Sequence, residues 1–179
     1  MTTLLIFLAC LAAIVLGAVA INRARGIKAV YLEAWSPEPG ESVRFDDPAA
    51  DFYVIPRLGQ AKVMSFARMH RGRAILTDRR LLVGARPLAS KRHMLTHVIL
   101  LPGSDSEDLG RLTAGQFRTG YQTYAARPEG MTAEADGDKA FIRIVPDSTA
   151  STTTIEHCRL YTDRAAEFMA AAAGSGSAA

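Results

Sequence analysis

The first 22 residues carry no charge. No Lys, Arg, Asp or Glu occurs before Arg23, so all 21 basic and 18 acidic residues lie in the rest of the chain. Thr3 to Ile21 reads TLLIFLACLAAIVLGAVAI, 19 uncharged residues. About 20 apolar residues at ~1.5 Å rise cross a hydrocarbon core ~30 Å thick, and in a single segment only a helix satisfies its own backbone there. The sequence therefore predicts a transmembrane anchor over residues 1–22 ahead of a charged domain. A cleaved signal peptide would use Ala18-Val19-Ala20, but it asks for a positive start and an apolar run of about 7–15 residues. Met1-Thr2-Thr3 supplies no positive charge. A lipoprotein site on Phe7-Leu8-Ala9-Cys10 would leave almost no apolar stretch before its Cys. Ala9, Ala13, Gly17 and Ala20 share one helical face, and small residues there allow close helix packing.

Arg23, Arg25 and Lys28 follow the apolar run at once, and positive flanks stay on the cytoplasmic side. The expected location is the inner (plasma) membrane in a single pass, with the N-terminus outside and the domain in the cytoplasm. Cys10 and Cys158 are too differently placed to pair, which fits a reducing compartment. Residues 23–38 are expected to form an amphipathic juxtamembrane segment. Ile27, Val30, Tyr31 and Ala34 fall at i, i+3, i+4, i+7. Two settings suit that face. Tyr31 and Trp35 sit at the headgroup level with Arg23, Arg25 and Lys28, or the face packs on the domain or another subunit.

Ser36-Pro37-Glu38-Pro39-Gly40 is a breaker cluster. Beyond it the chain reads as short strands. These are Val43 and Phe45, Phe52–Ile55, Val63–Met69, Ala74–Leu76, Leu81–Val83, Leu95–Leu101, Phe117–Tyr124, Phe141–Val145 and Thr152–Tyr161. Thr77-Asp78-Arg79-Arg80 reads as a hairpin connection. The period then changes. Ala165, Phe168, Met169 and Ala172 mark an amphipathic helix with Thr162 or Asp163 as cap and Gly174 as stop, before a flexible tail over 174–179. Many antiparallel strands followed by one helix suit a mainly-β domain, a partly open antiparallel barrel closed at one end by the helix.

Pro39-Gly40-Glu41-Ser42-Val43 followed by Arg71-Gly72-Arg73-Ala74-Ile75-Leu76-Thr77-Asp78-Arg79-Arg80-Leu81-Leu82-Val83-Gly84 resembles the pleckstrin-homology-like (PH-like) superfamily. The similarity is closest to its GRAM and bacterial PH-like branch and covers roughly residues 39–173. The long loop from Pro102 to Gly115 departs from the pattern, as does a closing helix without Trp. The resemblance implies a scaffold for lipid, peptide or subunit binding, rarely for catalysis. Fold alone does not fix function.

Charge is segregated. Residues 29–56 carry a net −5, residues 57–93 a net +9, and residues 94–179 a net −4. Arg68, Arg71, Arg73, Arg79, Arg80, Lys91 and Arg92 are the candidate contacts of the basic stretch. Three settings suit them: an anionic lipid surface, where each base contributes about 1 kcal/mol; the acidic segments of this chain or of a partner; or solvated strand faces. Nucleic acid is disfavoured, because Phe66 is the one aromatic in the basic stretch and no zinc spacing is present.

No catalytic pattern stands out. His93 and His97 read as strand, where residues four apart are about 13 Å apart, and no HExxH pattern occurs. His157 and Cys158 point to opposite strand faces. Gly72 and Gly84 are isolated, so no phosphate-binding glycine loop is present. No metal, cofactor or catalytic residue is expected. The expected role is a non-catalytic, membrane-anchored binding or scaffold protein, an accessory subunit of a larger inner-membrane complex. The alternative is an anionic-lipid-binding domain.

Overall fold

In the computed structural model the described residues are Ile6, 29–56, 72–87, 90–102, 121–147 and 155–174. They form eight strands: β1 (Val43–Asp47), β2 (Asp51–Pro56), β3 (Arg73–Thr77), β4 (Arg80–Ala85), β5 (Met94–Leu100), β6 (Gln122–Asp136), β7 (Lys139–Pro146) and β8 (Ile155–Tyr161). A helix, α1 (Ala165–Ala173), follows. The strand order is β1-β3-β4-β5-β6-β7-β8-β2.

That order forces the sheet to curl. Laid flat, the outer strands β1 and β2 would stand about 34 Å apart at ~4.8 Å per neighbour. Yet Pro48, Ala49 and Ala50 alone join them, a link that spans at most about 14 Å. The corner is tied down by side chains. Asp47 Oδ1 accepts the Ala49 N–H at 2.9 Å, and the Thr162 hydroxyl at the end of β8 donates to Asp47 Oδ2.

Curling gives the sheet an inside and an outside. The inner core draws on all eight strands and α1: Phe45, Phe52, Leu76, Leu81, Ile99, Tyr124, Ile142, Leu160 and Phe168 belong to one cluster. Phe168 of α1 meets Phe45 edge-on at 5.3 Å between ring centres. A second cluster lies outside β3, β4 and β5, where Ile75, Leu82, Val98 and Leu100 are covered by Leu32, Trp35 and Tyr121. These strands are thus buried on both faces, and their sequences run apolar instead of alternating.

Several expectations are corrected. The anchor over residues 1–22 is one: among the described residues no helix is long and apolar enough to cross a membrane. Apart from Ile6, that segment lies outside the described residues, as do Ala9, Ala13, Gly17, Ala20, Arg23, Arg25 and Lys28. The fold is mainly β with one short C-terminal helix, and it contains no described membrane span. The sheet is also not wholly antiparallel. β5 and β6 run parallel, with His97 opposite Gln122 and Leu100 opposite Ala125. β6 then continues to Asp136 and turns to β7 as an antiparallel partner. Its register breaks between Ala126 and Met131, where Pro128 has no N–H to give a ladder. Nor is the segment before the domain a described helix. Tyr31 is extended and pairs with Met94, and only Leu32–Ala34 form a short 3-10 turn. Neither Thr162 nor Asp163 caps α1: Arg164 stands at the cap position, while Thr162 Oγ1 accepts the Arg164 N–H at 3.1 Å. The strand expected over Val63–Met69 lies outside the described residues.

Candidate functional site

The hairpin β3–β4 carries most of the described basic candidates, and much of their charge meets acids of the same chain. Arg80 is 4% exposed. It points to the outer face, where residues 30–41 cover the sheet. Its Nε donates to Glu41 Oε1 at 2.9 Å and its Nη2 to Glu41 Oε2 at 2.8 Å. The same Nη2 lies 2.8 Å from Glu38 Oε1, and the guanidinium stands 5.7 Å from the Trp35 ring centre. Thr77 closes the network, with its Oγ1 2.8 Å from Glu41 Oε1 while accepting the Arg80 N–H at 2.9 Å. Burial alone would push the Glu41 carboxyl up, but bonds from Arg80, the Glu38 N–H and Thr77 outweigh it and hold it below the usual range. The two motifs that carry the family resemblance therefore meet in space.

Arg73 grips Asp46 through Nε at 2.9 Å and Nη2 at 2.5 Å. Arg79 reaches Pro39 O at 3.3 Å and Glu38 Oε2 at 3.9 Å. Lys91 and Arg92 are exposed on the β4–β5 connection, and Arg92 lies over the Tyr31 ring at 5.6 Å. Arg68 and Arg71 lie outside the described residues. Glu33 fastens the covering segment from the other side. It accepts the His93 N–H at 2.9 Å and meets His93 Nδ1 at 2.7 Å.

Among the described residues, His97, Tyr124 and Cys158 are titratable groups that burial pushes towards neutrality. His97 lies between Phe52 at 4.9 Å and Tyr124 at 5.8 Å between ring centres. Burial lowers it to about 4. Burial also raises the Tyr124 phenol, which donates to Gln122 Oε1. The Cys158 thiol is pushed up to about 12 by burial, so it is a packing group rather than a nucleophile. Among the described residues no cluster of His, Cys, Asp and Glu could hold a metal ion.

The outer face of β7, β8 and β2 was not singled out by the sequence. Successive outward residues on β8 are His157, Arg159 and Tyr161. Arg143 of β7 stands directly opposite Arg159, and Tyr53 of β2 stands opposite it on the other side. Phe141, Tyr161 and Tyr53 form an aromatic run, with ring centres 5.2 Å and 5.0 Å apart. Arg159 lies over Phe141 at 4.8 Å and donates from Nε to His157 Nε2 at 3.2 Å. Burial, then Arg143 and Arg159, lower the His157 pKa. The sequence signal is the alternation of His157, Arg159 and Tyr161 on one strand. Which strands lie beside it is a tertiary fact.

The carboxylates around this face hold its cations loosely. Arg143 Nε is 4.0 Å from Glu134 Oε1, and Arg159 Nη1 is 3.4 Å from Asp136 Oδ2. Glu156 Oε1 stands 3.5 Å from His157 Nδ1 without forming a hydrogen bond, so among the described residues that buried nitrogen has no hydrogen-bond partner. The tight pairs at Arg73 and Arg80 have N···O distances of 2.5–2.9 Å, the range of strong charge-assisted bonds.

Compared with known proteins, the chain matches no protein-family model and no curated protein.

Proposed function

We propose that the chain is a non-catalytic binding or scaffold module of the PH-like kind its motifs resemble, an accessory component docked on a larger assembly. The observation that carries this reading is the contrast between its two outer sheet faces. Leu32 and Trp35 cover the face of β3–β5. On the face of β7, β8 and β2, Arg143, Arg159 and Tyr53 stand opposite one another across three strands, and they and Tyr161 are half-buried. Tyr and Arg are the residues that dominate protein interfaces. The neutral, buried state of His97, Tyr124 and Cys158 also favours a filled interior over a reacting one.

The test is the native size of the full-length protein, extracted in mild detergent through a C-terminal tag. A stoichiometric assembly larger than a dimer supports docking, and a free monomer removes it. Lipid binding is the second reading, favoured by the exposure of Arg86, Lys91 and Arg92 on one connection. Binding to anionic but not neutral vesicles, lost at high salt, would move the assignment there.

A further inference from the structure

Residues 30–35 lie on β4 and β5 as a bound peptide lies on its receptor. Among the described residues their backbone meets β5 at one bridge, Tyr31 with Met94. The Leu32 N–H donates to His93 O at 2.9 Å, and the Leu95 N–H donates to Val30 O at 2.8 Å. Side chains supply the rest, and each has its own receptor. Leu32 is buried against Gly84, where a Cβ would stand 2.6 Å from its Cδ1. The glycine thus leaves a socket that the leucine fills. Tyr31 meets the Arg92 guanidinium at 5.6 Å and Trp35 that of Arg80 at 5.7 Å, both within cation–π range. Glu33 accepts the His93 N–H and meets His93 Nδ1 at 2.7 Å.

The barrel closes its interior without this segment. The inner cluster contains no residue of 30–35, whereas Leu32 and Trp35 pack in the outer cluster with Ile75, Leu82, Val98 and Leu100. A segment tied by few backbone bonds to a satellite cluster opens ahead of global unfolding. The pivot is also present. Glu38 and Glu41 are held on Arg80, so an opening segment would turn at Ser36-Pro37 and leave that network in place.

We propose that the outer groove of β4 and β5 is a peptide-binding site, held shut in cis by residues 30–35, and that it takes from a partner protein an extended segment of the same chemistry. That segment carries an aromatic, a leucine and an acid in succession, then a second aromatic two residues on. Gly84 selects the leucine, His93 the acid, and Arg92 and Arg80 the two rings. This goes beyond the docking function above and does not depend on it, since the size of the native assembly does not report on this groove.

The probe is a synthetic peptide of residues 29–36, titrated into the full-length variant L32A/W35A. That variant empties the groove and leaves its walls. It also removes the one Trp of the chain, so the peptide supplies the whole indole signal. Its emission should shift to the blue and saturate. The same peptide with Ala in place of its Leu should show no shift, and L32A/W35A/G84V, which fills the socket, should show none with either peptide. Labelled with fluorescein, the peptide should bind wild type at least tenfold more weakly than L32A/W35A, because the segment in cis competes from within the chain. No saturable binding by L32A/W35A, equal binding of the Ala peptide, or equal binding by wild type would overturn the proposal. Hydrogen exchange of the wild type gives a readout that needs no variant to fold. The amides of Leu32 and Leu95 should exchange at least tenfold faster than those of Leu82 and Val98. Exchange of all four at one common rate would make the segment a fixed part of the fold and remove the proposal.

Discussion

Arg80 donates to both carboxylate oxygens of Glu41 across a sequence separation of 39 residues. The pair joins the segment that covers β3–β5 to the hairpin beneath it. Glu41 is 8% and Arg80 4% exposed, so neither charge has water to fall back on. Removing one partner strands the other. We expect Arg80→Met to lower unfolding free energy by about 3–5 kcal/mol. In the double variant E41Q/R80M the loss should be smaller than the sum of the single losses, as urea unfolding of all three variants will measure.

Stability should fall with acid through His97. Its ordinary value is 6.5 and burial lowers it to about 4. Below pH 6.5 the unfolded chain takes up a proton that the folded chain refuses. The contribution is therefore complete above pH 6.5 and is lost as pH falls towards 4. About 2.5 pH units correspond to roughly 3 kcal/mol. His97→Phe keeps a ring between Phe52 and Tyr124 and should flatten the pH slope in that window. His157, also lowered, will retain a part of it. Thermal unfolding at pH 4.5, 5.5 and 7 gives the comparison.

At Gly84 the covering segment lies close on the sheet. A Cβ there would stand 2.6 Å from Leu32 Cδ1 and 3.2 Å from His93 Cβ. Gly84→Ala should lift Leu32 and cost about 1–3 kcal/mol. Trp35 is the one Trp in the chain, so its fluorescence should shift towards that of an exposed indole. The inner core should persist, with far-ultraviolet dichroism unchanged.

Gly72 should be less forgiving. A Cβ at that position would stand 2.7 Å from both Ala50 O and Gly84 O. Both are backbone atoms, fixed by the β1–β2 corner and by β4, so neither yields by a rotamer change. We expect Gly72→Ala to destabilise more than Gly84→Ala, as measured by the shift in urea midpoint.

Cys158 should resist thiol reagents in the folded protein. It is buried in the inner core, and its thiol is pushed up to about 12. In a Cys10→Ser background, its labelling rate at pH 8 should follow global unfolding and rise with urea only through the unfolding transition. Rapid labelling in buffer would place it in a locally opening region.

The hairpin β3–β4 was legible because two apolar runs flank a polar turn, and the helix was legible because Ala165, Phe168 and Ala172 share a face. Strand direction was not, since periodicity carries no sign, and so the parallel β5–β6 pair went unseen. β6 beyond Ala126 was hidden by Pro128, Gly130 and a run of exposed residues that read as breakers. The spacing of Ile27, Val30, Tyr31 and Ala34 suggested a helical face; Ile27 lies outside the described residues, and at Tyr31 pairing with Met94 overrides the pattern. Arg80 was one of seven candidate bases, and pairing with the acidic segments of this chain was one of the three settings open to them. Only the fold reveals that Glu38, Glu41 and Trp35 enclose it. The face around Arg159 joins β7 and β8 to β2, which lies far earlier in the chain, and no local pattern can assemble that.

The pairing of β2 with β8 sets an order on synthesis. Asp51 finds its partner in Tyr161, so β2 leaves the ribosome long before the strand that completes it. Until then Phe52 and Val54 have no wall to pack on from that side. During translation the newborn chain therefore holds an unmatched apolar edge, a natural client for chaperones. Ribosome-bound chains stalled before residue 155 should engage such helpers, and chains released at full length should let them go.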